Sequence, residues 1–117
     1  MEINMEVRQD ITVLNLRGEV SINTSKELEK QINRLLNEGK VSILLNFQDV
    51  PYIDSTGLAM LIACLMKAQE SGGIIKLANL NRICSKIFSI TRLDRSFEIF
   101  NNLAQGIEGF EVARTSL

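Results

Sequence analysis

The sequence predicts an α/β fold: a mixed, mainly parallel sheet with an N-terminal β-hairpin, in the order β-β-α-β-α-β-α-β-α, over one domain spanning 1–117. Three observations predict it. Apolar residues alternate with polar ones over the first 20 residues. Short β-branched runs then alternate with segments of helical period, and glycines or small polar residues punctuate most of the junctions. Strands separated by helices imply right-handed crossovers between parallel neighbours, with the hairpin supplying an antiparallel edge strand.

The hairpin is read from Ile3, Met5 and Val7, the break at Gln9-Asp10, and the resumed run Val13, Leu14, Leu16 and Val20. Its turn lacks the usual Asn-Gly or Asp-Gly pair, and Gly18 marks a bend near the end of the second strand. Thr24-Ser25-Lys26-Glu27 has capping-box spacing, with Thr24 expected to accept from the Glu27 N–H and Glu27 to reach back. Leu28, Ile32, Leu35 and Leu36 give the helix that follows one buried stripe, and Gly39 stops it. Val41 to Phe47 suits a strand covered on both faces. A helix is expected from about Gly57 to Ser71, then Gly72-Gly73 and a strand over Ile74 to Ala78. Asn81 is positioned to cap a third helix holding Ile83, Ile87 and Phe88, and a short strand follows near Phe97 to Phe100. A last helix over Leu103 to Ala113 carries Gly106 and Gly109, each costing roughly 1 kcal/mol against alanine.

Composition narrows the function. Apolar residues make up 45% of the 117 residues and charged ones 23%, as in ordinary globular proteins. A net charge of −1 lacks the basic excess that drives nucleic-acid binding. No apolar run reaches the ~18 residues of a membrane span, and Met1 to Glu6 lacks the basic start and apolar stretch of a signal peptide. Cys64 and Cys84 form no metal or redox motif and read as small packing residues. A reducing, cytoplasmic setting is expected, with no nucleic-acid or membrane partner.

The stretch Val50-Pro51-Tyr52-Ile53-Asp54-Ser55-Thr56-Gly57-Leu58 concentrates the chemistry: a hydroxyl pair between a carboxylate and a glycine, before an apolar helix. Catalysis is not expected of it. The chain has no histidine, which removes the commonest general base and metal ligand. Ile53 stands where the first glycine of G-x-S-x-G would fall. Neither nucleotide-binding glycine fingerprint follows a strand, and the acidic pair and late lysine that a phosphoacceptor at Asp49 or Asp54 would need are not supplied by Gly18-Glu19-Val20-Ser21 and Asn101-Asn102. Neither a cofactor nor a metal is implied. Helix capping alone, and capping combined with recognition, both fit Asp54 and Ser55. Gly57 lowers helix propensity and leaves room for an approaching partner.

Ile53-Asp54-Ser55-Thr56-Gly57-Leu58, after the Val41 to Phe47 strand and before an apolar helix, resembles the signature of the STAS domain, and more narrowly the bacterial anti-sigma-factor antagonists. The likeness runs from the hairpin through Gly18-Glu19-Val20 and the Ile74 to Ala78 strand to the short strand near Phe97. It implies a STAS-like fold and a phosphorylation-switched binding protein. Ser55 would be phosphorylated by an anti-sigma factor with serine kinase activity. The unmodified form would bind that factor and free the sigma factor, and a PP2C-type phosphatase would restore it. The other class in play is a non-catalytic STAS scaffold in a stress-signalling or transporter-associated complex. Two residues depart from the family pattern and bear on the choice of partner: Ser21, where an aspartate is common, and Arg92, where a glycine is common. The partner surface is expected to comprise Asp54, Thr56, Gly57 and Ser21. It is extended by Met60, Cys64 and Lys67, which a helical count at 100° per residue puts, with Ala63, opposite the inward stripe of Leu58, Leu61, Ile62 and Leu65, the alternative being that another helix covers this face.

Overall fold

A computed structural model describes residues 1–115, with side chains described for residues 1–111. The elements follow the predicted order: β1 (Glu2–Arg8), β2 (Ile11–Arg17), α1 (Ser25–Asn37), β3 (Ser42–Asp49), α2 (Ser55–Glu70), β4 (Ile74–Ala78), α3 (Arg82–Ile90), β5 (Ile99–Phe100) and α4 (Leu103–Thr115), with one 3-10 turn at Leu93–Arg95. The strands lie in the order β1-β2-β3-β4-β5, antiparallel at β1-β2 and parallel elsewhere. Each parallel crossover moves one strand in the same direction. Right-handed connections therefore put α1, α2 and α3 on one face.

That face carries the main core. Leu14, Leu16, Ile43, Leu45, Phe47, Ile75 and Leu77 of the strands meet Leu28, Ile32, Leu35, Leu61, Leu65 and Phe88 of the helices. Phe47, Phe88 and Phe97 stack edge to face with centroids 6.4 and 6.0 Å apart. The other face is covered by α4, where Phe110, Leu103 and Ile107 pack on Ile11, Val13, Leu44 and Ala78. Ile43 to Phe47 of β3 are thus buried on both sides, as a nearly continuous apolar run requires. Beyond α4, a polar ladder crosses the strands. Asn15 Nδ2 donates to Glu6, Asn46 Nδ2 to Asn15, and Asn79 Nδ2 to Asn46, at 2.7–3.0 Å.

The turns explain several local choices. Gln9 and Asp10 both take positive φ (51° and 70°), as a two-residue turn of mirror-image type demands, without a glycine. Helix α1 ends as Gly39 predicts: Gly39 N–H bonds Leu36 O and Lys40 N–H bonds Leu35 O, a Schellman closure. Its start corrects the sequence expectation. Thr24 makes no side-chain cap. Its hydroxyl donates to Glu19 O at 2.7 Å and accepts from Ser21 N–H at 2.9 Å, because the tight loop before the helix brings those groups closer than the Glu27 amide.

Helix α4 forms despite its two glycines, because a Cβ at Gly106 would stand 2.9 Å from Leu44 Cδ2 and one at Gly109 would run into the Phe100 ring. Lys76 locks the same contact. It is buried in the sheet, bonds Glu98 at 3.1 Å and Gly109 O at 3.4 Å, and lies 4.8 Å from the Phe110 ring centre. Lys76→Ala is expected to lower unfolding free energy by about 2–3 kcal/mol, mostly through the lost packing of its stem. Glu98→Gln, at a side chain 60% exposed, should cost under about 1 kcal/mol. Urea denaturation of both variants separates the two contributions.

Arg92 has φ +62°, the left-handed conformation that explains why glycine suits the position. Arg92→Gly is therefore expected to raise stability by about 1 kcal/mol, read as a higher urea midpoint at unchanged slope. An unchanged or lower midpoint would contradict the assigned strain.

Candidate functional site

Two loops at the carboxyl ends of β2 and β3 build the site. They are stitched as a short parallel extension of the sheet. Val20 N–H bonds Tyr52 O at 3.0 Å, Asp54 N–H bonds Val20 O at 3.1 Å, and Val20 and Ile53 form an isolated bridge. Val50 and Ile53 are buried and anchor the second loop, which leaves Pro51 and Tyr52 exposed. Asn81, the cap of α3, braces that loop from below. Its Oδ1 accepts from Cys84 N–H at 2.7 Å, and its Nδ2 reaches Val50 O and Pro51 O at 3.3 and 3.2 Å.

Asp54 is the N-cap of α2. One carboxylate oxygen accepts from Gly57 N–H at 2.9 Å and the other from Ile22 N–H at 3.0 Å, so a single side chain caps the helix and clips the β2–α1 loop to it. Those two amides hold its carboxyl below the ordinary value of 3.8. A lowered native pKa means the clip stabilises the fold above the unfolded-state value and fades as pH falls through the native one. Wild type and Asp54→Asn should therefore differ in Tm at neutral pH and converge as the pH falls through the lowered native value. A gap that persists in acid would show that the anion is not what holds the loop.

Ser55 and Thr56 are the first two residues of α2, both exposed, and neither hydroxyl has a hydrogen-bond partner among the described residues. The start of the helix presents them where backbone N–H groups favour an added anion. The two loops each expose a large apolar side chain at this end of the sheet: Ile22, whose N–H bonds Asp54, is 69% exposed, and Tyr52, two residues before Asp54, is 46% exposed. Sequence reasoning included Tyr52 in the stretch without giving it a role and passed over Ile22, whose signal was a large apolar side chain between Ser21 and Asn23.

The rest of the expected partner surface changes. Gly57 is buried, and a Cβ there would sit 2.5 Å from Val20 O, so the glycine serves close packing between the two loops and opens no approach for a partner. Ser21 is also buried. It donates to Glu19 Oε1 at 3.2 Å and accepts from Asn23 N–H at 3.3 Å, holding the loop from inside. Met60 and Cys64 belong to the core, with Cys64 Sγ 3.7 Å from Met60 Sδ. Helix α2 is covered on two sides, by the sheet and by α1, so its apolar arc is wider than the single stripe assumed in the count. Burial pushes the Cys64 thiol up to about 11, which keeps it protonated and unreactive. Lys67 is exposed but lies in the last turn of α2, twelve residues and roughly 18 Å along the axis from Ser55. Of the expected set, Asp54, Ser55 and Thr56 stand together at the surface.

The described residues contain no grouping of acidic, cysteine or histidine side chains suited to a metal, and no helix among them is long and apolar enough to cross a membrane.

Against known proteins, the STAS domain model matches residues 2–106, and the chain belongs to the STAS domain family. Within it, the chain is 31% identical over 111 residues to the anti-sigma-B factor antagonist of Bacillus subtilis, covering 92% of this chain and all of that protein. It superposes with a TM-score of 0.87 on a candidate anti-sigma factor antagonist from Thermotoga maritima, at 27% identity over 92% of each chain. The Bacillus cell-fate determinant SpoIIAA in its phosphorylated form shares the fold, with a TM-score of 0.72 at 19% identity over 93% of this chain and 99% of that one.

Proposed function

We propose that this protein is an anti-sigma-factor antagonist whose binding surface is centred on Ser55 and switched by phosphorylation there. The observation that carries the reading is an exposed, unbonded hydroxyl at the first position of a capped helix, on a pair of loops that also expose Ile22 and Tyr52. The names of its antagonist relatives supply the partner class.

In this reading the unmodified chain docks on an anti-sigma factor with serine kinase activity in the cytoplasm and frees the sigma factor. The kinase then uses Ser55 as substrate, and a PP2C-type phosphatase reverses the step. A phosphate adds about −1.5 to −2 charges at neutral pH. The helix dipole tolerates it, so the fold is expected to persist. The contact surface does not, because a dianion beside Asp54 has to be desolvated on binding. The chain performs no catalysis itself; its chemistry is done to it.

The test is displacement. Unmodified protein, titrated into a complex of sigma factor and its anti-sigma kinase, should release the sigma factor stoichiometrically in native gel or fluorescence anisotropy. No release by the unmodified protein against any candidate pair from the same cell would remove the antagonist reading and favour a scaffold role.

A further inference from the structure

Strand β1 is the outer strand of the sheet. Its register with β2 runs unbroken from Glu2↔Arg17 to Arg8↔Ile11 around the two-residue turn. In such a hairpin the residues flanking the turn bond each other. Glu2, Asn4, Glu6 and Arg8 thus direct their backbone groups to β2, and Ile3, Met5 and Val7 direct theirs outward. Sheet edges are normally blunted by charged side chains, proline or a bulge. This one has neither proline nor bulge, its charged residues Glu2, Glu6 and Arg8 sit at the positions that bond β2, and its outward-bonding residues include exposed Met5 (42%) and Val7 (62%).

We propose that this edge pairs antiparallel with the same edge of a second copy, about a two-fold axis through Met5. The residue pattern selects that register. Centring on Glu6 would set Glu6 against its own copy, and centring on Asn4 would set Glu2 against Glu6 and Val7 against Met1, which precedes the strand. Centring on Met5 pairs Met5 with Met5 and Ile3 with Val7 twice, giving about six main-chain hydrogen bonds. It also sets Glu2 opposite Arg8 of the second copy at both ends, opposite charges on side chains already exposed. Because the axis is perpendicular to the sheet, α1–α3 of both copies stay on one side. Ser55 stands at the start of α2, away from this edge.

Cysteine trapping tests the register. In Met5→Cys the two Cα atoms would stand about 5.5 Å apart, within disulfide range. In Val7→Cys they would be offset by four residues, roughly 13 Å, out of reach. The native Cys64 and Cys84 are buried and do not compete. Under mild oxidation Met5→Cys should run at twice the 13.1 kDa chain mass on a non-reducing gel, and the more exposed Val7→Cys should stay monomeric. Equal cross-linking of the two, or none by Met5→Cys, would overturn the proposal. A second measurement needs no cysteine. Glu2→Arg and Arg8→Glu should each weaken the dimer at least tenfold in sedimentation, and an equimolar mixture should restore it. Dimerisation indifferent to both swaps, or a monomer at every concentration of the unaltered protein, would equally overturn it.

Discussion

Ser55→Asp is expected to lose at least a hundredfold in affinity for the cognate anti-sigma kinase, and full phosphorylation about a thousandfold. Ser55→Ala should bind within a few-fold of wild type and resist the switch. A thousandfold loss is only about 4 kcal/mol, less than an uncompensated buried charge commonly costs. The magnitude rests on position. Ser55 is exposed at the first residue of α2, its neighbour Asp54 is already an anion, and the same two loops expose Ile22 and Tyr52. Circular dichroism and Tm should barely change, since the helix N-terminus accommodates negative charge. Isothermal titration of the three proteins against the kinase decides the matter. Retained affinity in Ser55→Asp, with the wild-type phosphoform also binding, would place the interface elsewhere.

Gly57→Val should destabilise the fold by about 3 kcal/mol or more and lower Tm by roughly 10 °C. The added Cβ would lie 2.5 Å from Val20 O, 2.9 Å from Val20 Cγ1 and 3.0 Å from Ile53 Cγ1. The Val20 carbonyl oxygen cannot swing aside as a flexible side chain would. Relief therefore requires the two loops to separate, which also breaks the Asp54 clip to Ile22. Gly57→Ala should cost less, because improved helix propensity offsets about 1 kcal/mol of the clash. Partner binding should fall in both variants although Ser55 is untouched. A Gly57→Val protein with wild-type Tm would show that the close approach is not required.

Most of the fold was legible because local signals and tertiary structure agree. Gly39 terminates α1, Asn81 caps α3, and the Val41 to Phe47 run is buried on both faces. The misreadings share a cause: a sequence pattern says what a residue permits, not which neighbour reaches it first. Thr24 has the spacing of a capping box, but the Glu19 carbonyl captures its hydroxyl. Gly57 was read as an opening, and the Val20 backbone fills it. Met60 and Cys64 fall outside the inward stripe of an isolated helix, and α1 buries them. At the site, Asp54 was readable because capping ties a carboxylate to the helix start, and Ser55 and Thr56 follow it at the surface by adjacency, their proposed role coming from the resemblance. Ile22 was not, because its place beside Asp54 depends on a contact across 32 residues of chain.

The most direct measurement of the central claim is phosphosite mapping. The protein is incubated with the anti-sigma kinase and ATP, and the product is digested and sequenced by mass spectrometry. The account predicts one phosphoryl group, on Ser55, with the modified fraction lost from the kinase complex in step. Modification at Thr56 or elsewhere, or a kinase complex that forms and turns over ATP while Ser55 stays unmodified, would contradict it.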